Sequence, residues 1–206
     1  VGERTNRRHR PGRALERIDY RFDVLADYGA FRDLQRHRML TIEWQPLTPL
    51  HGYTRPEAVD LAGEGPAFDR AMERSASLYD LLATRFPAEA SYAVCLAYKV
   101  RFSMQMNARE AMHVIELRTA PQGHPSYRRV CQTMHRLIEE KAGHHAIARL
   151  MQFADHSNVE LERLQSERAL ERNQGLVDNV RDQADVAADR DFEKIANAAK
   201  KKVRTQ

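Results

Sequence analysis

The 206-residue chain is poor in cysteine and tryptophan, with two of the first and one of the second, and aromatic residues make up only 7% of it. Cys95 and Cys131 form neither the paired spacing of a zinc site nor a disulfide framework. Both are therefore expected to be buried, reduced, structural thiols. No apolar run approaches the roughly 20 residues that span a bilayer. No basic n-region leads into an apolar h-region, so secretion is not indicated and a cytoplasmic location is expected. The nucleotide loops G-x-x-x-x-G-K-[ST] and G-x-G-x-x-G are missing, as are G-x-S-x-G and H-E-x-x-H. Their absence argues against P-loop and Rossmann sites, hydrolase nucleophile elbows and zinc-protease chemistry. The chain begins with Val1 and not Met, which suits a processed protein or a piece of a longer one.

What is present is a soluble, globular composition: 42% hydrophobic and 30% charged residues, enough for one domain with a core and a polar portion. The net charge of +4 is local. Residues 1–13, "VGERTNRRHRPGR", hold five arginines and one glutamate, so the rest of the chain is neutral overall. This basic arm reads either as a solvated or subunit-contacting tail or as an anion-binding segment able to touch nucleic acid.

Hydrophobic periodicity places the main elements. Ile18, Tyr20, Phe22 and Val24 alternate with charged residues as a half-buried strand does, and "MLTIEW" offers a second strand. Between them "YGAFRDLQRHR" predicts a short helix with the basic triplet at its end. Residues 46–66, with four prolines and three glycines, predict a long loop. Helices are expected over 67–84 and again from Pro87, which suits a first helical turn. In "AYKVRFSMQMN", Tyr98, Val100, Phe102, Met104 and Met106 alternate with polar residues, giving a strand with one buried face. Asn107 and Glu110 make an N-x-x-E capping signature for a helix to Arg118, with Ala108, Ala111, Met112 and Ile115 as its buried stripe and Arg109, His113 and Glu116 on the other face. "SYRRVCQTMHRLIEEKAG" predicts a further helix ending at Gly143. The expected architecture is α/β (α+β): an antiparallel or mixed sheet flanked by helices, organised as a basic arm (1–13), a domain (14–156) and a polar, helical extension (157–206).

Few side-chain constellations suggest chemistry. His135, His144 and His145 lie near Glu139 and Glu140 in sequence, but at no metal-ligand spacing, and read best as surface or capping residues. Two basic clusters fall on ordered elements: Arg36-His37-Arg38, and Asn107, Arg109, His113 and Arg118. Arginine presents a planar fork to phosphate and stays charged when buried. Internal ion pairs with Asp33, Glu43, Glu110 and Glu116 are the competing explanation.

These clusters resemble the signatures of the flavin-dependent thymidylate synthases. That family carries R-H-R-x-x-S-x-N-E-x-S-x-R, matched here by "RHRMLTIEWQPLT", and an N-x-R helix running into E-L-R, matched by "NAREAMHVIELRTAPQ". The resemblance covers about residues 14–150. It implies a flavoprotein that methylates deoxyuridylate reductively with FAD, NADPH and methylenetetrahydrofolate and uses no enzyme nucleophile. Arg36, His37, Arg38, Asn107, Arg109 and His113 would contact the flavin. Arg36 and Arg118 would bind substrate, and Arg118 would favour the ionised pyrimidine. The family's sites form across the subunits of a tetramer, so a homo-oligomer, or pairing with a related domain of a longer tandem chain, is implied as well. The sequence also departs from the pattern. Thr41, Glu43, Trp44, Pro46 and Thr48 replace the signature's Ser, Asn, Glu, Ser and Arg. Asp33 replaces a Gln, and Ser91 stands where a phosphate-binding Arg is expected. Flavin contacts are largely kept and deoxyuridylate contacts largely changed. The chain is thus expected to be a divergent member, with a catalytically degenerate, partner-binding module as the alternative.

Overall fold

The computed structural model describes residues 4–158, together with Arg168 and Arg172. Nearly all of the expected C-terminal extension lies outside the described residues. Three strands, β1 (Asp19–Asp27), β2 (Thr41–Trp44) and β3 (Lys99–Asn107), form one antiparallel sheet in the order β1-β3-β2. Six helices are described with them: α1 (Tyr28–Leu34), α2 (Glu57–Leu61), α3 (Gly65–Arg85), α4 (Ala108–Arg118), α5 (Pro125–Glu140) and α6 (His145–Leu150).

Alternation in β1 and β3 builds the core. Their register runs from Asp19 opposite Asn107 to Asp27 opposite Lys99, which sets Tyr20 against Met106, Phe22 against Met104 and Val24 against Phe102. All six side chains are buried, each contributing about 1.5–3 kcal/mol from removal of apolar surface from water. On the other face, Arg101 Nε donates to Asp23 Oδ1 at 3.0 Å. Ala108, Ala111, Met112 and Ile115 of α4 and Cys131, Met134 and Ile138 of α5 close the apolar face.

Both long strands run through a polar cap directly into a helix. Asp27 Oδ1 accepts the Ala30 N–H at 2.8 Å to start α1, and Asn107 Oδ1 accepts the Glu110 N–H at 2.9 Å to start α4. Tyr28 N–H donates to Tyr98 C=O (2.8 Å) and Ala108 N–H to Ile18 C=O (2.7 Å), so both helix starts are stitched to the neighbouring strand's end. The R-H-R loop after α1 is thereby brought alongside α4.

Several local expectations need correction. Helix α1 stops at Leu34, and Arg36–Arg38 lie in the loop beyond it. There the His37 N–H turns back to Leu34 C=O at 3.3 Å and the imidazole goes inward. The 46–66 segment is not one loop: it holds a 3-10 turn at Pro49–His51, α2 and the start of α3. Three of its four prolines, Pro49, Pro56 and Pro66, sit at helix starts, where a missing N–H costs nothing. From Pro87 only a 3-10 turn forms, at Ala90–Ala93. The carbonyls that would continue a helix are taken from outside, Leu96 C=O by Gly29 N–H at 3.0 Å and Ala97 C=O by Thr54 N–H at 2.9 Å. Cys95 on this stretch is exposed, against expectation, whereas Cys131 is buried. Helix α5 ends at Glu140, three residues early, and Gly143 takes a φ of 67°, which suits glycine, in the turn that follows.

Candidate functional site

His37 and Arg118, one from each basic cluster, meet. The Arg118 Nε–H donates to His37 Nε2 at 2.9 Å. That ring nitrogen is therefore unprotonated, and the proton sits on Nδ1, which faces Glu110 Oε1 at 3.5 Å. His37 is almost fully buried, and the His113 ring lies edge-on to it with centroids 5.7 Å apart. The Arg118 side chain is 15% exposed, and its guanidinium lies over the Tyr127 ring at 5.4 Å. Its Nη1 is 3.9 Å from Asp33 Oδ1, and the same oxygen is 3.8 Å from Arg36 Nη1. The site is thus a ridge along α4: Glu110, His113 and Arg118, overlaid by Asp33, Arg36 and His37 from the end of α1.

Other candidate residues are engaged elsewhere. Asn107 spends its Oδ1 on the α4 cap, while its Nδ2 has no partner among the described residues. Arg109 pairs with Glu16 in the 3-10 turn Arg13–Arg17. Arg36, Arg38 and His113 are exposed, and Arg38 has no polar partner among the described residues. The internal ion pairs weighed from sequence are present in part: Asp33 lies beside Arg36 and Arg118, Glu110 beside His37, and Glu43 near Arg21 at 4.0 Å.

Glu116 corrects the expected polar face of α4. It is 2% exposed and accepts a two-pronged pair of bonds from Arg4, Nη1 to Oε1 at 2.7 Å and Nη2 to Oε2 at 2.8 Å. Arg4 also donates to the carbonyls of Leu150, His9 and Arg7 and lies over the Phe153 ring at 5.3 Å. One cation of the basic arm is therefore part of the fold. The pattern could have revealed it: Met112, Ile115, Glu116 and Thr119 are spaced as one helical stripe, and all four are buried. Tyr127, which supports Arg118, carried no comparable signal, because it follows the Pro-Gly break that hides the α4–α5 angle.

The histidines outside the site make local contacts. The Tyr20 hydroxyl bonds His144 Nδ1 at 2.7 Å, His135 Nδ1 faces His156 Nε2 at 2.7 Å, and His124 caps α5. Burial pushes the Cys131 thiol up to about 12, so it is no nucleophile. A groove of about 680 Å³ opens between β1 and α5, flanked by Arg21, Arg129 and Lys141, on elements other than those that carry the Arg118 ridge.

Residues 3–143 match the family described as thymidylate synthase complementing protein. The chain belongs to that family. It is 44% identical over 168 residues to a UPF0159 protein of Chlamydia muridarum, a match covering 81% of this chain and 31% of that protein. It is 38% identical over 169 residues to a UPF0159 protein of Thermoplasma acidophilum, covering 80% and 33%. The chain therefore spans about a third of the length of the curated relatives it matches. Among solved structures it is similar to Thymidylate Synthase X from Helicobacter pylori with FAD and dUMP, with a TM-score of 0.49 and 18% identity over 60% of this chain and 69% of that one. In family terms, the R-H-R stretch and the N-x-R helix are two separate pieces of sequence that touch through the His37–Arg118 bond. No helix of the described residues is long and apolar enough to cross a membrane.

Proposed function

We propose that the protein is a divergent flavin-dependent thymidylate synthase-like enzyme that methylates deoxyuridylate reductively with FAD, NADPH and methylenetetrahydrofolate. The observation that carries this reading is the His37–Arg118 hydrogen bond within a family-matched span, which joins the two motifs on one ridge. The donor chemistry there suits a flavin dinucleotide. Arg36 and Arg38 offer exposed forks to a diphosphate, and the His113 imidazole and the Asn107 Nδ2 add donors beside them. When bound, the flavin supplies the hydride, and the protein orients the reactants. His37, held by Glu110, fixes the Arg118 guanidinium, whose Nη edge, shared with Asp33, would stabilise a pyrimidine anion electrostatically. The ridge is open to solvent, so a second copy of the chain, as in a tetramer, or a related domain of a longer protein completes it. The relatives, more than twice as long as this chain, support the second arrangement. The test is an FAD titration followed by flavin fluorescence, paired with an assay for thymidylate. Saturable FAD binding that weakens tenfold or more in Arg36→Ala/Arg38→Ala supports the reading; no binding, alone or with its partner domain, rejects it.

A specific observation favours one second reading, a non-catalytic module that binds a partner. Arg109, expected to serve the flavin, is closed onto Glu16, and Asn107 is committed through Oδ1. In that case Arg8 and Arg10, both exposed, are the arm's remaining anion contacts. Salt-dependent binding to a polyanion, abolished by Arg8→Ala/Arg10→Ala, would distinguish this module from the enzyme.

A further inference from the structure

We infer that Asp33 is an internal competitor at the anion-binding ridge: its carboxylate occupies the seat an oxyanion ligand would take between Arg36 and Arg118. This rests on the reading that those two arginines face the substrate.

Arg118 is the better buried of the two arginines, 15% exposed against 70% for Arg36. Its guanidinium is positioned on two sides without Asp33, by the Nε–H donated to His37 and by the Tyr127 ring beneath it. What remains is the Nη edge, the part that forks onto phosphate or carboxylate. That edge faces Asp33. One oxygen, Oδ1, lies almost equally far from two guanidiniums, 3.9 Å from Arg118 Nη1 and 3.8 Å from Arg36 Nη1. Both distances exceed a hydrogen bond, so the carboxylate is held by charge and not by directional bonding. The contrast with the chain's structural pair is sharp: Arg4 and Glu116 meet at 2.7 and 2.8 Å, nearly sealed from water. Asp33 is 34% exposed and Arg36 70%, so their attraction is screened and weak. A loosely held anion between two cations, one of them prearranged by other groups, is displaceable.

The consequence is selectivity. A ligand oxyanion must push Asp33 aside or share the seat with a like charge a few ångströms away, and a dianionic phosphate suffers that repulsion most. Neutralising Asp33 removes the competitor and leaves Arg118 aimed by His37 and Tyr127. Arg36, by contrast, relies on Asp33 alone among the described residues.

The test uses the 206-residue chain with inorganic phosphate and deoxyuridylate as probes, titrated calorimetrically at low salt. Asp33→Asn is expected to bind phosphate and deoxyuridylate on the order of tenfold more tightly than the unaltered chain, with a steeper salt dependence. Asp33→Glu, which keeps the charge, should stay within about twofold. Both Asp33 contacts exceed hydrogen-bond length, so Asp33→Asn should melt near the unaltered chain; Asp33→Ser supplies a second neutral variant should the first fold poorly. Equal or weaker phosphate binding by both neutral variants overturns the inference, as does an absence of phosphate binding to every form. Tighter phosphate binding with no deoxyuridylate binding would uphold the role of Asp33 while rejecting deoxyuridylate as the substrate.

Discussion

Arg4 shows how much one side chain can decide. It crosses from the arm to a glutamate buried in α4, and removing it leaves the buried Glu116 carboxyl without its cation. Arg4→Ala should cost about 3–5 kcal/mol in urea denaturation. Replacing both partners with apolar residues, Arg4→Met with Glu116→Leu, should recover most of that loss, because a buried pair is worth little more than good packing. The cysteines give a second residue-level prediction. A thiol-specific reagent should modify Cys95 in the folded protein, while Cys131, held protonated by burial, should react only after unfolding. In the sequence both are isolated cysteines without paired spacing. The segment after Cys95 is tied to Gly29 of α1 and to Thr54 through the Leu96 and Ala97 carbonyls, and periodicity does not report such long-range contacts.

Among the elements, the cap at Asn107 was legible because it is local: an amide one residue before a helix, with a Glu three residues on. Asn107→Ala should destabilise the fold by about 0.5–2 kcal/mol and Asn107→Asp by much less, read from thermal melting. The helix expected from Pro87 failed for the opposite reason, since its partners are far away in sequence. The segment after α6 gives a pH prediction. Arg128, Gln132 and His135, successive on one face of α5, hold Asp155, Ser157 and His156. Burial, then the nearby His135 and Arg136, keeps the His156 imidazole below its usual 6.5, partly offset by Asp155 and Glu139. The neutral form is therefore favoured in the fold. Its contribution to stability is complete above the usual imidazole value and is lost as pH falls below it, because the unfolded chain takes up the proton first. The urea midpoint should drop as pH falls from about 7.5 to about 5.5, and His156→Gln should flatten that slope.

At the scale of the molecule, the sheet order and the βα junctions explain why two distant motifs share one ridge. The sequence separates His37 from Arg118 by 81 positions, and the β1-β3 pairing brings the loop after α1 against α4. Strand alternation and the two motifs were readable in advance; the angle of α5, the inward turn of His37 and the diversion of Arg109 to Glu16 depend on packing and were not. The family match and the joined motifs lead to one central claim, that the ridge holds a flavin. The visible spectrum of the purified protein tests it most directly. The purified protein should be yellow, with flavin absorption that follows the polypeptide through gel filtration and is lost in Arg36→Ala/Arg38→Ala. Colourless protein that takes up no FAD, alone or with its partner domain, would contradict it.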